Sequence, residues 1–215
     1  NATISMYSYA TIEPLDNGKI ELVSIDRGES LSFDIAASLE IDGKLDLLKG
    51  VYNRVVAAFT GKALSFRLTT FGEAPPGSGL GTSSTMVVAI IGAFVEWLKL
   101  PLGEYDIAHL AYEIERRDLN MAGGKQDQYA ATFGGFNFME FGDNGHVLVN
   151  PLRMKPWIVS ELESSLLLFF TGVSRESAHI IDQQVRNIRE GARAPIEALF
   201  SVKEEAVRMK AALLK

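Results

Sequence analysis

A glycine-rich stretch, EAPPGSGLGTSST at residues 73–85, separates a strand-like segment from a helix that is apolar on nearly every side. A helix of that kind, here residues 86–98, is typical of a protein core, and this one is too short to span a membrane. The stretch therefore has to turn the chain from a strand directly into a buried helix. Gly77, Gly79 and Gly81 alternate along it, and glycine readily adopts the positive φ angles that such a turn demands.

The same stretch has the composition of an anion-binding loop. Its glycines let backbone N–H groups approach a ligand closely, and the helix behind it begins with unpaired N–H groups and a partial positive charge. A polyphosphate would suit such a site, although no lysine precedes Thr82 as a Walker A loop requires. Thr82 also stands where a dinucleotide fingerprint needs its third glycine. The alternative interpretation is a purely structural turn with a serine or threonine as helix cap.

The segments on both sides of this loop predict strands as well as helices. Alternating apolar and polar residues predict strands, and apolar residues spaced by three and four predict helices. Strand patterns cover residues 2–13, two segments around a hairpin turn at 26–28, residues 63–71 and 136–141, and the continuous apolar run 164–172. Helical patterns cover residues 45–59, 103–119, 174–191 and about 195–214, and residues 121–135 predict a second glycine-rich turn. This order favours a two-layer α+β architecture.

Composition narrows the classes of function. The 215 residues carry a net charge of −6 and show no basic face, so a nucleic-acid partner is not expected. The absence of cysteine excludes disulfides, thiolate metal sites and thiol nucleophiles. No signal sequence is visible, and no apolar run has membrane-spanning length. We therefore expect a cytoplasmic protein with a small-molecule partner and no membrane partner.

Two carboxylates downstream of the loop are candidates for phosphate chemistry. Phosphoryl transfer needs charge neutralisation at the phosphates, and Mg²⁺ can supply it with only one or two protein oxygens as ligands. Glu115 lies near the end of a predicted amphipathic helix, where a solvated surface charge is the alternative interpretation. Asp127 follows two glycines and precedes an apolar segment, so a solvated face explains it less well. A carboxylate in such a turn can accept a proton from a sugar hydroxyl.

The loop motif P-P-G-S-G-L-G-T-S-S, residues 75–84, resembles the second signature motif of the GHMP kinases, the superfamily of galactokinase, homoserine kinase and mevalonate kinase. The resemblance implies that the loop binds ATP and that Ser83 is a ligand of Mg²⁺. The implied nucleotide-binding residues are Pro76, Gly77, Ser78, Gly79, Leu80, Gly81, Thr82, Ser83 and Ser84.

Two further segments resemble the same family. Y-E-I-E-R followed by G-G-K-Q-D-Q is similar to its glutamate-containing helix and its Gly-x-x-Asp-[NQ] turn, which implies Glu115 as the second Mg²⁺ ligand and Asp127 as the catalytic base. Together with FFTGVSRESAHIID, the pattern is most similar to the D-glycero-D-manno-heptose phosphate kinases of the family. That resemblance implies transfer of the γ-phosphate of ATP to a sugar phosphate, at the anomeric hydroxyl of heptose 7-phosphate.

Four residues are candidates for contacts with the sugar phosphate, namely Gly124, Lys125, Ser174 and Arg175. A helix beginning near Ser174, with Arg175 beside it, could hold a phosphate group. A serine cap with a solvated arginine explains the same residues, and Lys125 is equally well explained as a solvated cation. Another acceptor, such as a different sugar, a mevalonate-type alcohol or homoserine, remains an alternative. A sensing protein that kept the fold and lost catalysis is a further one.

The resemblance also implies a domain organisation. Residues 1–160 correspond to the N-terminal mixed α/β nucleotide-binding domain of the two-layer GHMP-kinase fold, and residues 161–215 to part of its ferredoxin-like C-terminal domain. The first and third motifs of the family have no counterpart in the chain. We therefore expect a kinase core that is trimmed at both ends, and a homodimer is compatible with it.

Overall fold

The computed structural model describes residues 1–169 and 177–215, with side chains in the second range described from residue 180. A mixed sheet of four strands forms one layer and helices form the other. The strands are β1 (Ser8–Pro14), β2 (Lys19–Ser24), β3 (Glu29–Asp34) and β4 (Phe66–Gly72), in the spatial order β1-β4-β2-β3. β4 runs antiparallel to β1 and parallel to β2. None of the helices in the described ranges is long and apolar enough to cross a membrane.

The strand predictions for this sheet are largely confirmed. The hairpin at residues 26–28 joins β2 to β3, which pair in register from Lys19 with Asp34 to Ser24 with Glu29. The first strand was predicted too long, because β1 begins only at Ser8 and the chain before it makes one isolated bridge, between Ala2 and Phe136. Strand alternation turns one side of each strand inward, and Ile20, Leu22, Phe66 and Leu68 are fully buried.

Two helices carry most of the apolar surface that covers this sheet. α1 (Asp46–Val55) continues into a wider π-helical turn at Val56–Thr60, and α2 (Thr82–Leu98) is the buried helix predicted after the glycine loop. Side chains of both helices join those of the strands in one core, including Val51, Tyr52, Val55, Val87, Ile90 and Phe94. Phe59, the last residue of the helical pattern predicted at residues 45–59, lies within this wider turn and is 38% exposed. The wider turn rotates its side chains away from the apolar face of α1.

The following segment of the chain completes the layer of helices. α3 (Glu104–Glu113) also ends in a π-helical turn, at Ile114–Asp118, and β5 (Asn137–Phe141) pairs with β6 (Val147–Pro151) as an antiparallel hairpin. Between them lies α4 (Gln126–Phe133), where the sequence predicted only a glycine-rich turn. That prediction was too broad, because the glycines lie before and after this segment and none interrupts it.

The C-terminal part is helical, with α5 (Pro156–Ser165), α6 (Ser177–Arg189) and α7 (Arg193–Leu213). The prediction of a buried strand at residues 164–172 was wrong for the residues that the structure describes. Residues 166–169 form no strand, and Leu167 and Phe169 are 79% and 80% exposed. An apolar run becomes a buried strand only where other strands flank it, and no strand in the described ranges pairs with this run. The predicted domain boundary at residue 160 falls inside α5, and the division into two domains stays a prediction.

Candidate active site

The glycine loop takes the conformation that its sequence predicts. Gly77, Gly79 and Gly81 have φ angles of 72°, 78° and 71°, in the left-handed region that favours glycine. Gly81 precedes the first residue of α2, and no side chain caps this helix in the described structure. The first N–H groups of a helix have no partner within the helix. The loop therefore presents free backbone donors and the positive end of a buried helix at one place.

Glu115 lies directly behind the first turn of α2. Its carboxylate is fully buried, and it accepts hydrogen bonds from the hydroxyl of Ser83 at Oε1 (3.0 Å) and from that of Ser84 at Oε2 (2.7 Å). The side-chain amide of Gln128, on α4, also donates to Oε2. Three donors from two helices thus converge on one buried carboxylate. The alternative interpretation of Glu115 as a solvated surface charge was wrong.

The position of Glu115 depends on the π-helical turn that follows α3. This turn inserts one residue into the helix between Ile114 and Asp118, and such single-turn insertions frequently occur at functional sites. Ile114 and Glu115 are both fully buried, so the turn directs two successive side chains into the protein. Arg116, which follows, is only 11% exposed, and its Nη2 lies 3.9 Å from Oε2 of Glu115.

Asp127 reaches the same loop from the other side. It stands in the first turn of α4 and is exposed, and its Cγ lies only 3.2 Å from the place where a Cβ on Gly81 would be. The structure therefore brings Ser83, Glu115 and Asp127 together at the glycine loop.

The turn before α4 is held by an arginine that the sequence reasoning missed. Arg116 Nε donates to the backbone carbonyl of Gly124 at 3.1 Å. Gly123 has a φ of 153°, which other residues rarely adopt, and a Cβ there would lie 2.5 Å from the guanidinium of Arg116, so this position favours glycine. Gly124 contributes its backbone to this turn, and the ammonium of Lys125 lies 4.9 Å from the ring centroid of Tyr112. The Gly123–Gly124 pair in the sequence could have indicated that a side chain lies close to this backbone. It could not have identified that side chain as Arg116.

A cleft of about 220 Å³ opens beside the glycine loop. Pro76, Gly77, Thr82 and Ser83 form its wall on the side of the loop. The opposite walls come from the end of β2 with the following turn and from the start of α1, and they include Ser24, Asp26, Arg27, Leu45, Leu47 and Leu48. None of these six residues was predicted as part of a binding site, because the cleft forms only when three distant segments pack together. A larger depression of about 310 Å³, between α1 and Leu119, includes none of the predicted residues.

Two of the predicted residues cannot be assigned a place. Ser174 and Arg175 lie outside the described residues, so their predicted contact with the phosphate of a sugar stays a prediction.

On α4, burial raises the pKa of Tyr129, and the neighbouring phenol of Tyr105 raises it further. Tyr129 therefore stays neutral and forms part of the apolar packing behind Gln128.

The fold and the site define a GHMP-type kinase domain, and the sequence comparison agrees. Residues 46–135 match the family described as GHMP kinases N terminal domain. This range includes the glycine loop, Glu115 and Asp127. Residues 46–135 therefore belong to the GHMP kinases.

Two similar proteins are named as heptose phosphate kinases. This chain is 52% identical over 215 residues to D-glycero-alpha-D-manno-heptose 7-phosphate kinase of Campylobacter jejuni. The aligned region covers 100% of this chain and 63% of the relative. The crystal structure of a D-glycero-D-manno-heptose 1-phosphate kinase from Bacteroides thetaiotaomicron superposes with a TM-score of 0.81 at 51% identity, over 99% of this chain and 63% of the other. The chain thus spans somewhat under two thirds of the length of these relatives.

A third comparison gives the same fold. A putative sugar kinase from Campylobacter jejuni, known at 2.4 Å resolution, superposes with a TM-score of 0.76 at 51% identity, over 97% of this chain and 66% of the other. These superpositions confirm the predicted two-layer α+β fold of the GHMP kinases.

Proposed function

We propose that this chain is the nucleotide-binding and catalytic part of an ATP-dependent sugar kinase whose acceptor is a heptose phosphate. The observation that carries the proposal is the convergence of Ser83, Glu115 and Asp127 at the glycine loop. A metal-ligating pair and a separate base beside a polyphosphate cradle are what direct phosphoryl transfer needs. The names of the two heptose kinases support the acceptor class.

The nucleotide is proposed to lie across the loop and the cleft beside it. The phosphates would receive hydrogen bonds from the backbone of residues 76–84 and lie in front of the positive end of α2. The ribose and base would then occupy the cleft of about 220 Å³ between the loop, the turn after β2 and the start of α1. Apolar contact from the leucines of α1 and polar contact from Asp26 and Arg27 suit the two faces of a nucleoside.

Ser83 and Glu115 fit a Mg²⁺ ion in geometry and in chemistry. Mg²⁺ prefers oxygen ligands in an octahedral arrangement at about 2.0–2.1 Å, which sets neighbouring ligands about 3 Å apart. Ser83 Oγ and Glu115 Oε1 are 3.0 Å apart. When bound, the ion would neutralise charge on the β- and γ-phosphates. Ser83 and Glu115 would hold two of its six positions, and phosphate oxygens and water the others.

Asp127 is proposed as the general base. Its carboxylate is exposed at the end of α4 and lies against Gly81, so it is accessible to an acceptor hydroxyl that approaches the loop. It would accept the proton of that hydroxyl as the oxygen attacks the γ-phosphate. Gly124 and Lys125 form the turn next to it and are proposed to contact the sugar. Ser174 and Arg175 are proposed to contact the phosphate already present on the sugar.

The position of phosphorylation is a finer proposal, and the names of the relatives make it worth testing. One relative is named for heptose 7-phosphate and the other for heptose 1-phosphate. We propose that the acceptor is heptose 7-phosphate and that its anomeric hydroxyl receives the phosphate, in the formation of a nucleotide-activated heptose. A cytoplasmic location and a homodimer stay predictions.

The test is a product analysis with the whole protein. ATP, Mg²⁺ and D-glycero-D-manno-heptose 7-phosphate are incubated with the protein, and the product is examined by ³¹P NMR. We expect a new anomeric phosphate, whose coupling to H1 identifies the position, together with one ADP for each product molecule. Heptose 1-phosphate and galactose are offered in parallel. Turnover with galactose alone would contradict the heptose proposal, and absence of ATP consumption with all acceptors would contradict the kinase proposal.

A further inference from the structure

The two oxygens of the Glu115 carboxylate have different surroundings. Oε2 accepts hydrogen bonds from Ser84 Oγ and Gln128 Nε2, whereas Oε1 accepts one from Ser83 Oγ. Each oxygen of an ionised carboxylate has about two lone-pair positions. Oε2 is therefore fully used by the protein, and Oε1 keeps one position free beside the hydroxyl of Ser83.

Ser84 and Gln128 hold Oε2 from opposite sides. Ser84 lies in the first turn of α2 and is 1% exposed, and Gln128 lies on α4 and is fully buried. A carboxylate only accepts hydrogen bonds, so the Gln128 amide must turn its NH₂ group toward it. Neither side chain can exchange this contact for water. Hydrogen bonds from α2 and α4 thus fix the position of the carboxylate at Oε2.

The other end of the Gln128 amide points to a role beyond packing. Its Oε1 is buried and has no hydrogen-bond partner among the described residues. A buried polar atom without a partner lowers stability, and an apolar side chain of similar size would avoid that loss. The amide is thus explained by what its NH₂ group does for Glu115.

We propose that Ser84 and Gln128 are positioning residues for the metal site. By occupying Oε2, they turn Oε1 and its free lone pair toward Ser83, where the two oxygens form the edge of a Mg²⁺ coordination shell. The proposal rests on the proposed function, because it concerns the orientation of the same metal ligand. It adds two side chains that would not touch the metal, the nucleotide or the sugar, although the backbone of Ser84 is part of the proposed phosphate-binding loop.

The competing explanation is that both side chains only satisfy a buried charge. In that case, removing them lowers the stability of the protein but leaves the metal affinity of the folded protein unchanged. In the positioning role, the metal affinity itself falls, because the carboxylate loses its fixed orientation. Loss of such outer partners typically weakens metal binding by about 10- to 100-fold.

The experiment measures metal binding without turnover. Mn²⁺ replaces Mg²⁺ as the probe, and its free concentration is followed by electron paramagnetic resonance in the presence of a non-hydrolysable ATP analogue. The variants are Gln128→Met, which keeps the volume and removes the donor, and Ser84→Ala, all in the whole protein. Thr132→Val is the matched control, because Thr132 bonds only the backbone carbonyl of Gln128 on the same helix. Calorimetry gives the affinity for the analogue without metal, and thermal unfolding shows that each variant is folded.

We expect Gln128→Met and Ser84→Ala each to weaken Mn²⁺ binding by about 10- to 100-fold. The metal-free affinity for the analogue should stay unchanged, because Ser84→Ala keeps the backbone N–H that is proposed to face the phosphates and removes only the hydroxyl bonded to Glu115. Thr132→Val is expected to bind Mn²⁺ as the unsubstituted protein does. Unchanged Mn²⁺ affinity in either folded variant overturns the positioning role and leaves the proposed function intact. If Gln128→Met does not fold, Ser84→Ala decides alone. Absence of Mn²⁺ binding by the unsubstituted protein overturns the metal site itself, and the positioning role with it.

Discussion

Glu115 and Asp127 are two carboxylates beside one glycine loop, and their surroundings are opposite. Glu115 is fully buried and accepts hydrogen bonds from three side chains. Asp127 is exposed at the first turn of α4. Its carboxylate lies beside the backbone of Gly81, and no side chain among the described residues donates a hydrogen bond to it. A fixed carboxylate that keeps one lone pair free suits a metal ligand, whereas an accessible one suits a base that must accept a proton.

In the proposed function, the two carboxylates at one loop serve two different purposes, metal binding and proton acceptance. Each carboxylate takes its surroundings from the element that carries it, a π-helical turn for Glu115 and a helix N-terminus for Asp127. The first element buries its side chain, and the second leaves its side chain in solvent. Exchange of the two roles would require a change in the backbone as well as in the side chains.

The largest expected effect is on catalysis at Asp127. In the whole protein, Asp127→Asn keeps the shape of the side chain but cannot accept the proton of the acceptor hydroxyl. We expect kcat to fall by about 10²- to 10⁴-fold, the usual contribution of a positioned base, with nucleotide affinity nearly unchanged. Steady-state kinetics and nucleotide titration measure the two quantities. Gln126→Ala, at the neighbouring exposed position, serves as the control, and unchanged turnover of Asp127→Asn would remove the assignment of the base.

Glu115→Gln should lower the stability of the protein more than Asp127→Asn does. The new amide must turn an NH₂ group toward buried donors, which leaves at least one of them without an acceptor. We expect the free energy of unfolding to fall by about 1–3 kcal/mol without metal or nucleotide. Asp127→Asn should change it by less than about 1 kcal/mol, because its carboxylate is exposed. Urea unfolding of both variants measures the difference, and equal stability of the two would contradict the contrast.

Gly81→Ala tests the contact between the loop and Asp127. Alanine at the left-handed φ of 71° found at Gly81 should lower the free energy of unfolding by about 1–2 kcal/mol. The added Cβ would also press on Asp127, at 3.2 Å from its Cγ, and kcat should therefore fall as well. Gly18→Ala is the matched control, since Gly18 has a φ of 69° and open space around it. We expect similar destabilisation and normal kcat in the control, and a loss of kcat in both variants would speak against the contact.

The smallest effect is expected at Lys125. Its ammonium lies 4.9 Å from the ring centroid of Tyr112, within the range of a cation–π interaction. A double-mutant cycle with Lys125→Met and Tyr112→Leu should give a coupling of about 0.5–1 kcal/mol in the free energy of unfolding. The KM for the sugar phosphate, measured for Lys125→Met, separates this structural role from a contact with the substrate. A coupling near zero would show that the ring does not hold the ammonium in solution.

Much of this architecture was predictable because it depends on local pattern. The conformation of the glycine loop follows from three alternating glycines, and the buried helix after it follows from its continuous apolar residues. The β2–β3 hairpin and the strand at residues 66–72 also follow from alternation and turn residues. The identification of Ser83, Glu115 and Asp127 came instead from resemblance to a family, because spacing alone cannot bring together residues from three separate segments.

The failures of sequence reasoning share one physical cause. The exposed run at residues 166–169 resembles a buried strand by composition, but burial depends on flanking elements that the run itself does not encode. No role was assigned to Arg116 or to Gln128, which stands at the [NQ] position of the family turn, because a charged or amide side chain in a helix is usually solvated. Their contacts depend on the π-helical turn after α3 and on α4, whose positions no apolar period reveals.

The amino-acid sequence by itself determined where the backbone can take positive φ, which helix begins behind the loop, and that oxygen ligands rather than thiolates are available. Only the tertiary structure decided that Glu115 is buried among three donors while Asp127 remains exposed. Local conformation depends on neighbours along the chain, and so a short sequence can specify it. Burial and hydrogen-bond partners depend on the packing of α2, the turn after α3 and α4, which meet only in the folded protein.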